Sequence, residues 1–237
     1  ATMNSEKTIE ASIKSLINQS YKNIEHIIID GDSQDDTLNI IGKYKKHITK
    51  VISEKDKGIY YALNKGISNA NGDIIGFLHS DDRYYSSDII EQVVDSFKNK
   101  ELDSVIGDLI IINPKNQKTI RYYRGSSRPS HFFSMGIMPP HPTVFLKKTV
   151  YDRFGDFNIK YKIASDYELL FRFIVKNEIK YKYIPKIFIS MNEGGLSTKS
   201  YLGKLLINFE IFKIHKYYGY PLNPFKKLYY RLIEYNS

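Results

Sequence analysis

The chain contains no cysteine. That excludes a disulfide framework and any zinc–thiolate centre, and it fits a reducing compartment. Long apolar runs are missing too. Nothing approaches the roughly 18 apolar residues that a membrane span needs, and no secretory apolar segment stands near residue 1. A cytoplasmic protein that is not integral to a membrane is therefore expected. Internal repeats and nucleic-acid motifs are absent, and the basic residues are dispersed, so no nucleic-acid partner is expected. A doubly wound domain ordinarily opens on a strand. This sequence opens at the turn before a helix, and trimming is the expected reason.

What is present suits one large α/β domain: 237 residues, 42% of them hydrophobic. The formal charge of +9 suits an anionic substrate or an anionic lipid surface. Ile9, Ile13, Leu16 and Ile17 recur at helical spacing after a cap at Asn4 or Ser5. Short apolar runs then alternate with helical stretches: strand 25–30, helix 35–45, strand 49–54, helix 59–70 and strand 73–78. Helix 88–98, strand 103–112 and a hairpin return over 119–123 follow. Short connections in this alternation predict a mostly parallel sheet with helices on both faces.

Acidic residues stand at the ends of successive strands: Asp30, then Glu54 and Asp56, then Asp81 and Asp82. In a parallel sheet these ends share one edge, where ligands of open α/β folds bind. Adjacent carboxylates there suit a hard divalent cation that takes its remaining oxygens from a diphosphate and water. Helix caps also favour Asp, so the same acids could simply begin helices.

Residues 125–140 have no clear period and read as a long loop, a kind of segment that is commonly functional. Helix 147–154 follows. Ser165 and Glu168 then have capping-box spacing before the apolar Leu169, Leu170, Phe173 and Ile174. Asp166 falls in that helix's first turn, as a dipole complement or as a catalytic base. A strand is expected over 181–191. The tail from residue 199 carries seven Lys or Arg against two Glu. It reads as a basic amphipathic helix, with a second helix after Pro221 and Pro224. Such a helix either lies on an anionic membrane or packs on its own domain.

Several ordered runs resemble the signatures of family 2 glycosyltransferases, in particular the bacterial branch that builds exopolysaccharide, capsule or O-antigen repeats. They are Ser15-Leu-Ile-Asn-Gln19-Ser-Tyr21, Ile29-Asp30-Gly31-Asp-Ser33, Ser53-Glu54-Lys-Asp56-Lys-Gly58-Ile-Tyr60, Ala62-Leu-Asn64-Lys65-Gly66, His79-Ser-Asp81-Asp82 and Ala164-Ser-Asp166-Tyr-Glu168. The resemblance covers roughly residues 1–195. It implies a GT-A fold with a nucleotide-sugar-binding half (1–110), an acceptor-binding half (111–198) and a helical tail (199–237) outside it. It also implies inverting transfer from a nucleoside-diphosphate sugar to a glycan or lipid-linked acceptor, assisted by Mn²⁺ or Mg²⁺. UDP is the expected nucleotide, with GDP and dTDP open.

Carried over residue by residue, Asp30 lies at the base or ribose end, and Glu54 and Asp56 line the same pocket together with Thr2 and Asn4. Asp81 and Asp82 match the DXD-type metal motif, with Asp82 the direct ligand. Asp166 matches the general base, and His141 falls where the acceptor side closes. The sequence departs from the family pattern at Met3, where a base-stacking Tyr is usual, at Tyr61 in place of Asp, and at His79 in place of Asn. A sugar-phosphate nucleotidyltransferase and a non-catalytic carbohydrate- or lipid-binding module are the competing readings. The nucleotidyltransferase should show a Gly-rich phosphate loop near the N-terminus, and none is visible.

Overall fold

The computed structural model describes residues 1–193 and 201–223. A short N-terminal layer comes first. Helix α1 (Ile9–Ile17) buries Ile9 and Ile13 against Ile28 and Ile41. Strands β1 (Ile27–Asp30) and β2 (Lys50–Ser53) pair in parallel, with α2 (Thr37–Lys43) and a 3₁₀ turn (Lys45–His47) crossing between them. Thr2 forms a parallel bridge with Asp30, donating to the Ile29 carbonyl at 2.8 Å. The chain's first residues thus lie beside β1, where a preceding parallel strand would run. Helix α3 (Ile59–Asn69) starts at Gly58, whose φ of 137° is open to glycine and strained for other residues.

The larger sheet has six strands. Its path is β3 (Ile74–Ile75), β7 (Val144–Lys147), β5 (Ser104–Ile112), β8 (Tyr181–Asn192) and β4 (Asp82–Tyr84), with β6 (Thr119–Tyr123) also on β5. Parallel pairing, expected to predominate, is limited among the described strands to the β1–β2 and β5–β8 ladders; the remaining ladders are antiparallel. The β5–β6 hairpin forces one of these directions, and β3 and β4 take their partners from the second half of the chain. One edge of β5 is shared, pairing with β7 at Ser104–Ile106 and with β6 from Leu109 to Ile112. Gly107 lies at the changeover, and a Cβ there would stand 2.3 Å from the Phe188 ring.

The main core gathers around α7 (Ser165–Phe171), which continues into a π turn (Arg172–Lys176). Leu169, Leu170, Phe171 and Phe173 are fully buried there, and Ile211 and Ile214 of α8 (Tyr201–Tyr218) join them. Helix α4 (Ile89–Phe97) covers the other cluster, and α6 (Lys148–Phe154) follows β7. The stretch expected as a featureless loop contains α5 (Pro129–Ser134). Proline at its first turn suits a helix start, and Phe132 and Phe133 bury themselves in the core. The expected second tail helix, beyond Pro224, lies outside the described residues.

Candidate active site

The Asp81–Asp82 turn is built differently from a strand running straight into two acids. Ladder pairing stops at Ile75, the chain crosses residues 76–81 without it, and Asp82 itself begins β4, opposite Met191. Helix α1 holds this crossing in place. Ser12 Oγ donates to the His79 carbonyl at 3.0 Å, Ser5 Oγ meets Ser80 Oγ at 2.8 Å, and the Tyr84 N–H donates to Ser15 Oγ at 3.2 Å. The spacing Ser12, Ser15 puts both hydroxyls on one face of α1.

Asp82 is completely buried, and neither of its carboxylate oxygens has a hydrogen-bond partner. Burial, with the Asp81 charge beside it, pushes its carboxyl well above the ordinary range. An orphaned buried carboxylate normally has an explanation, and an ion is one of the few. Among the described residues no group of three His, Cys, Asp or Glu side chains could hold a metal. A cation at Asp82 would therefore complete its shell from a diphosphate and water, the usual manner of Mg²⁺. The donor set fits such an ion.

Burial brings the Ala1 amino group down to about 6, and the charges of Asp82, Asp56 and Asp81 act on it in the opposite sense. Lys65 of α3 bridges Glu54 at 2.6 Å and Asp56 at 2.7 Å. Asp56 keeps one buried oxygen, Oδ2, unpartnered. Asp30 is fully buried and is occupied within the protein: it accepts from the Ser33 N–H at 3.0 Å, from Ser33 Oγ, and from Ser53 Oγ at 2.7 Å. Asn4, at φ 49°, accepts from the Gln34 N–H at 2.9 Å and donates its own N–H to Ser33 Oγ at 2.8 Å. Asp30 and Asn4 thus shape the loop 31–36, while Thr2 Oγ1 is buried without a partner.

Asp166 comes from the other half of the chain. Its Oδ1 accepts the Tyr167 N–H at 2.8 Å and the Tyr60 hydroxyl at 3.2 Å. Burial raises its carboxyl to about 6, against the lowering by those two bonds. Tyr60 and Lys65 both belong to α3, so this helix links Asp166 to Glu54 and Asp56. Asn64, one turn on, accepts from and donates to the backbone of Phe157 at 2.9 Å in each bond. The capping box expected at Ser165 does not form. Ala164 is the cap residue, Ser165 Oγ has no partner, and Glu168 bonds Arg172 instead. His141 packs between Phe77 and Phe157, 6.4 Å from the His79 ring, and burial lowers it to about 4, so it is a neutral wall. Lys65, Tyr60 and Asn64 were missed as site residues, although all three lie in or beside the quoted motifs.

A family model described as Glycosyl transferase family 2 matches residues 1–164. A PGL/p-HBAD biosynthesis glycosyltransferase of Mycobacterium bovis is 26% identical over 202 residues, 83% of this chain and 77% of that protein. The Escherichia coli UDP-Glc:alpha-D-GlcNAc-diphosphoundecaprenol beta-1,3-glucosyltransferase WfaP is 41% identical over 96 residues, 39% of this chain and 38% of that one. Among solved structures, S. aureus TarS 1-349 in complex with UDP-GlcNAc superposes with a TM-score of 0.68 at 18% identity, over 95% of this chain and 67% of that chain. In a longer TarS crystal structure this chain spans 40% of the other's length. These superpositions identify the fold as GT-A.

Proposed function

Because the chain belongs to glycosyl transferase family 2 and is a glycosyltransferase, we propose that it moves a sugar from a nucleoside-diphosphate sugar to a glycan or lipid-linked hydroxyl, with inversion. Family membership displaces the nucleotidyltransferase and binding-module readings. The observation that carries the proposal is Asp82, buried with both oxygens unpartnered next to Asp81. UDP is the proposed nucleotide, because the names of the E. coli relative and of the TarS complex both specify UDP-sugars. The E. coli name also specifies a diphosphoundecaprenol-linked acceptor, which supports a lipid-linked acceptor in bacterial surface-polysaccharide synthesis here.

A divalent cation, Mn²⁺ or Mg²⁺, would supply Lewis-acid relief of charge on the departing diphosphate. Asp82 is the residue that would hold it, with Asp81 at its side. Asp30 and Asn4 keep the loop 31–36 in shape for the nucleoside, and Lys65 keeps Glu54 and Asp56 in the same pocket. Asp166 takes the acceptor proton. Its Oδ1 is engaged by Tyr60 and Tyr167, so Oδ2 is the oxygen left to accept. A carboxyl near 6 is mostly ionised at neutral pH, yet basic enough to share a proton in the transition state. The deprotonated hydroxyl displaces the diphosphate from the opposite face, which inverts the anomeric centre in one step.

No helix among the described residues is long and apolar enough to cross a membrane. Peripheral contact is proposed through α8. Leu202, Leu205, Phe209 and Phe212 recur at steps of three and four residues and are all exposed, while Ile211 and Ile214 face the core. Lys213 lies 4.4 Å from the Phe209 ring centre. An apolar stripe on a protein of charge +9 suits an anionic lipid surface.

The test of the proposed reaction is Mn²⁺-dependent release of UDP from a panel of UDP-sugars. Turnover that is unchanged by chelation, or confined to another nucleotide, contradicts the metal or the donor assignment respectively.

A further inference from the structure

Helix α8 lies beyond the residues that the family model matches, yet it reaches into the segment before Asp166. Glu210 is 6% exposed. Its Oε1 accepts the Lys162 N–H at 2.9 Å, and its Oε2 accepts those of Ile163 at 3.0 Å and Ala164 at 2.9 Å. Three consecutive amides thus converge on one carboxylate, at the place where Ser165 was expected to cap and does not. Among the described residues no Lys or Arg forms an ion pair with Glu210, so these amides are its visible compensation for burial. Ile163 is held at its other backbone group as well, because the Tyr60 hydroxyl donates to its carbonyl at 2.6 Å. Two further contacts from α8 fix the same helix start: His215 Nε2 meets the Tyr167 hydroxyl at 2.7 Å, and the Tyr218 hydroxyl donates to Glu168.

We propose that Glu210 is a positioning residue for Asp166: its carboxylate fixes backbone 162–164 and so sets the reach of the Asp166 carboxylate toward the acceptor hydroxyl. The inference rests on the glycosyltransferase reading in which Asp166 is the base. The groups facing Asp166 are Tyr60 from α3, the Tyr167 N–H from α7 and Glu210 from α8. The first two favour its ionised form, and the Glu210 charge opposes it.

The test uses the full chain as wild type, E210Q, E210A, Y60F and D166N. Carbon-13 NMR follows the Asp166 carboxyl, assigned by its disappearance in D166N. E210Q keeps an acceptor and removes the charge, so its Asp166 midpoint moves below the wild-type value of about 6, whereas Y60F moves it up. Binding of UDP with Mn²⁺ stays within about twofold in E210Q. In E210A, kcat for UDP release falls about 10- to 100-fold at unchanged donor KM, as expected for a displaced base, and E210Q recovers part of the loss. An unmoved Asp166 midpoint in E210Q, with only the melting temperature lowered, overturns the proposal. Wild-type turnover in D166N sinks the base reading itself and, with it, the catalytic role of Glu210. The NMR titration still reports whether Glu210 and Asp166 are coupled, so the two failures are distinguishable.

Discussion

Asp82 and Asp166 are both raised by burial, but their surroundings differ. Asp82 has no partner at either oxygen, whereas Asp166 has one oxygen committed and one to offer. A carboxyl raised in the folded state contributes stability that is fully present below its unfolded value and lost as pH rises through its folded value. For Asp166 that window runs from the ordinary 3.8 to about 6. At pH 7.5 its ionisation opposes folding by up to about 3 kcal/mol, at 1.36 kcal/mol per unit. Asp166→Asn is thus expected to raise the melting temperature at pH 7.5, to leave it nearly unchanged at pH 4, and to lower kcat by about 10²- to 10⁴-fold. Thermal melts at the two pH values, with a turnover assay, check this. Wild-type kcat should fall about tenfold per pH unit below about 6, the limb that a single base imposes. These acids were legible in the sequence because each follows an apolar run or opens an amphipathic helix. Glu210 and Tyr60 were not, because they meet residues 46 and 106 positions away respectively, and no local pattern encodes such contacts. The local rule for Ser165 failed because the helix opens one residue earlier, with Ala164 at the cap.

In the proposed reaction, helix α3 is the element that relates donor side to acceptor side. Tyr60 and Asn64, one turn apart, face Asp166 and Phe157, while Lys65 turns to Glu54 and Asp56. Its existence and limits were readable from periodicity and from Gly58; which face met which partner was not. The strand before the acids was read as longer than it is, since an apolar run reports burial and not ladder pairing. At Gly76, just past its end, a Cβ would lie 2.4 Å from the Phe145 ring, so backbone and ring pack directly. The same economy governs β5 at Gly107 beneath Phe188. Gly107→Ala should destabilise the fold by at least about 1–3 kcal/mol through overpacking, measured by urea unfolding. Unaltered stability there would mean that the sheet yields more easily than its packing indicates.

At the scale of the whole molecule, α8 has two faces with different tasks. One closes the core and holds the segment before Asp166, and the other exposes Leu202, Leu205, Phe209 and Phe212. A triple change of Leu205, Phe209 and Phe212 to Ser should abolish co-sedimentation with anionic vesicles at unchanged stability. Equal sedimentation of wild type and variant would remove the membrane proposal. The fold class was visible in the sequence, while the mixed sheet direction was hidden because β3 and β4 find partners far along the chain, in a sheet separate from β1 and β2. The proposed reaction separates the duties, with Asp82 for the metal–diphosphate and Asp166 for the acceptor proton. Calorimetric titration of UDP in the presence of Mn²⁺ into wild type, Asp82→Asn and Asp166→Asn examines that separation. Wild type and Asp166→Asn should bind with similar affinity, and Asp82→Asn should lose binding by tenfold or more, about 1.4 kcal/mol. Equal binding by Asp82→Asn, or loss of binding in Asp166→Asn alone, would contradict it.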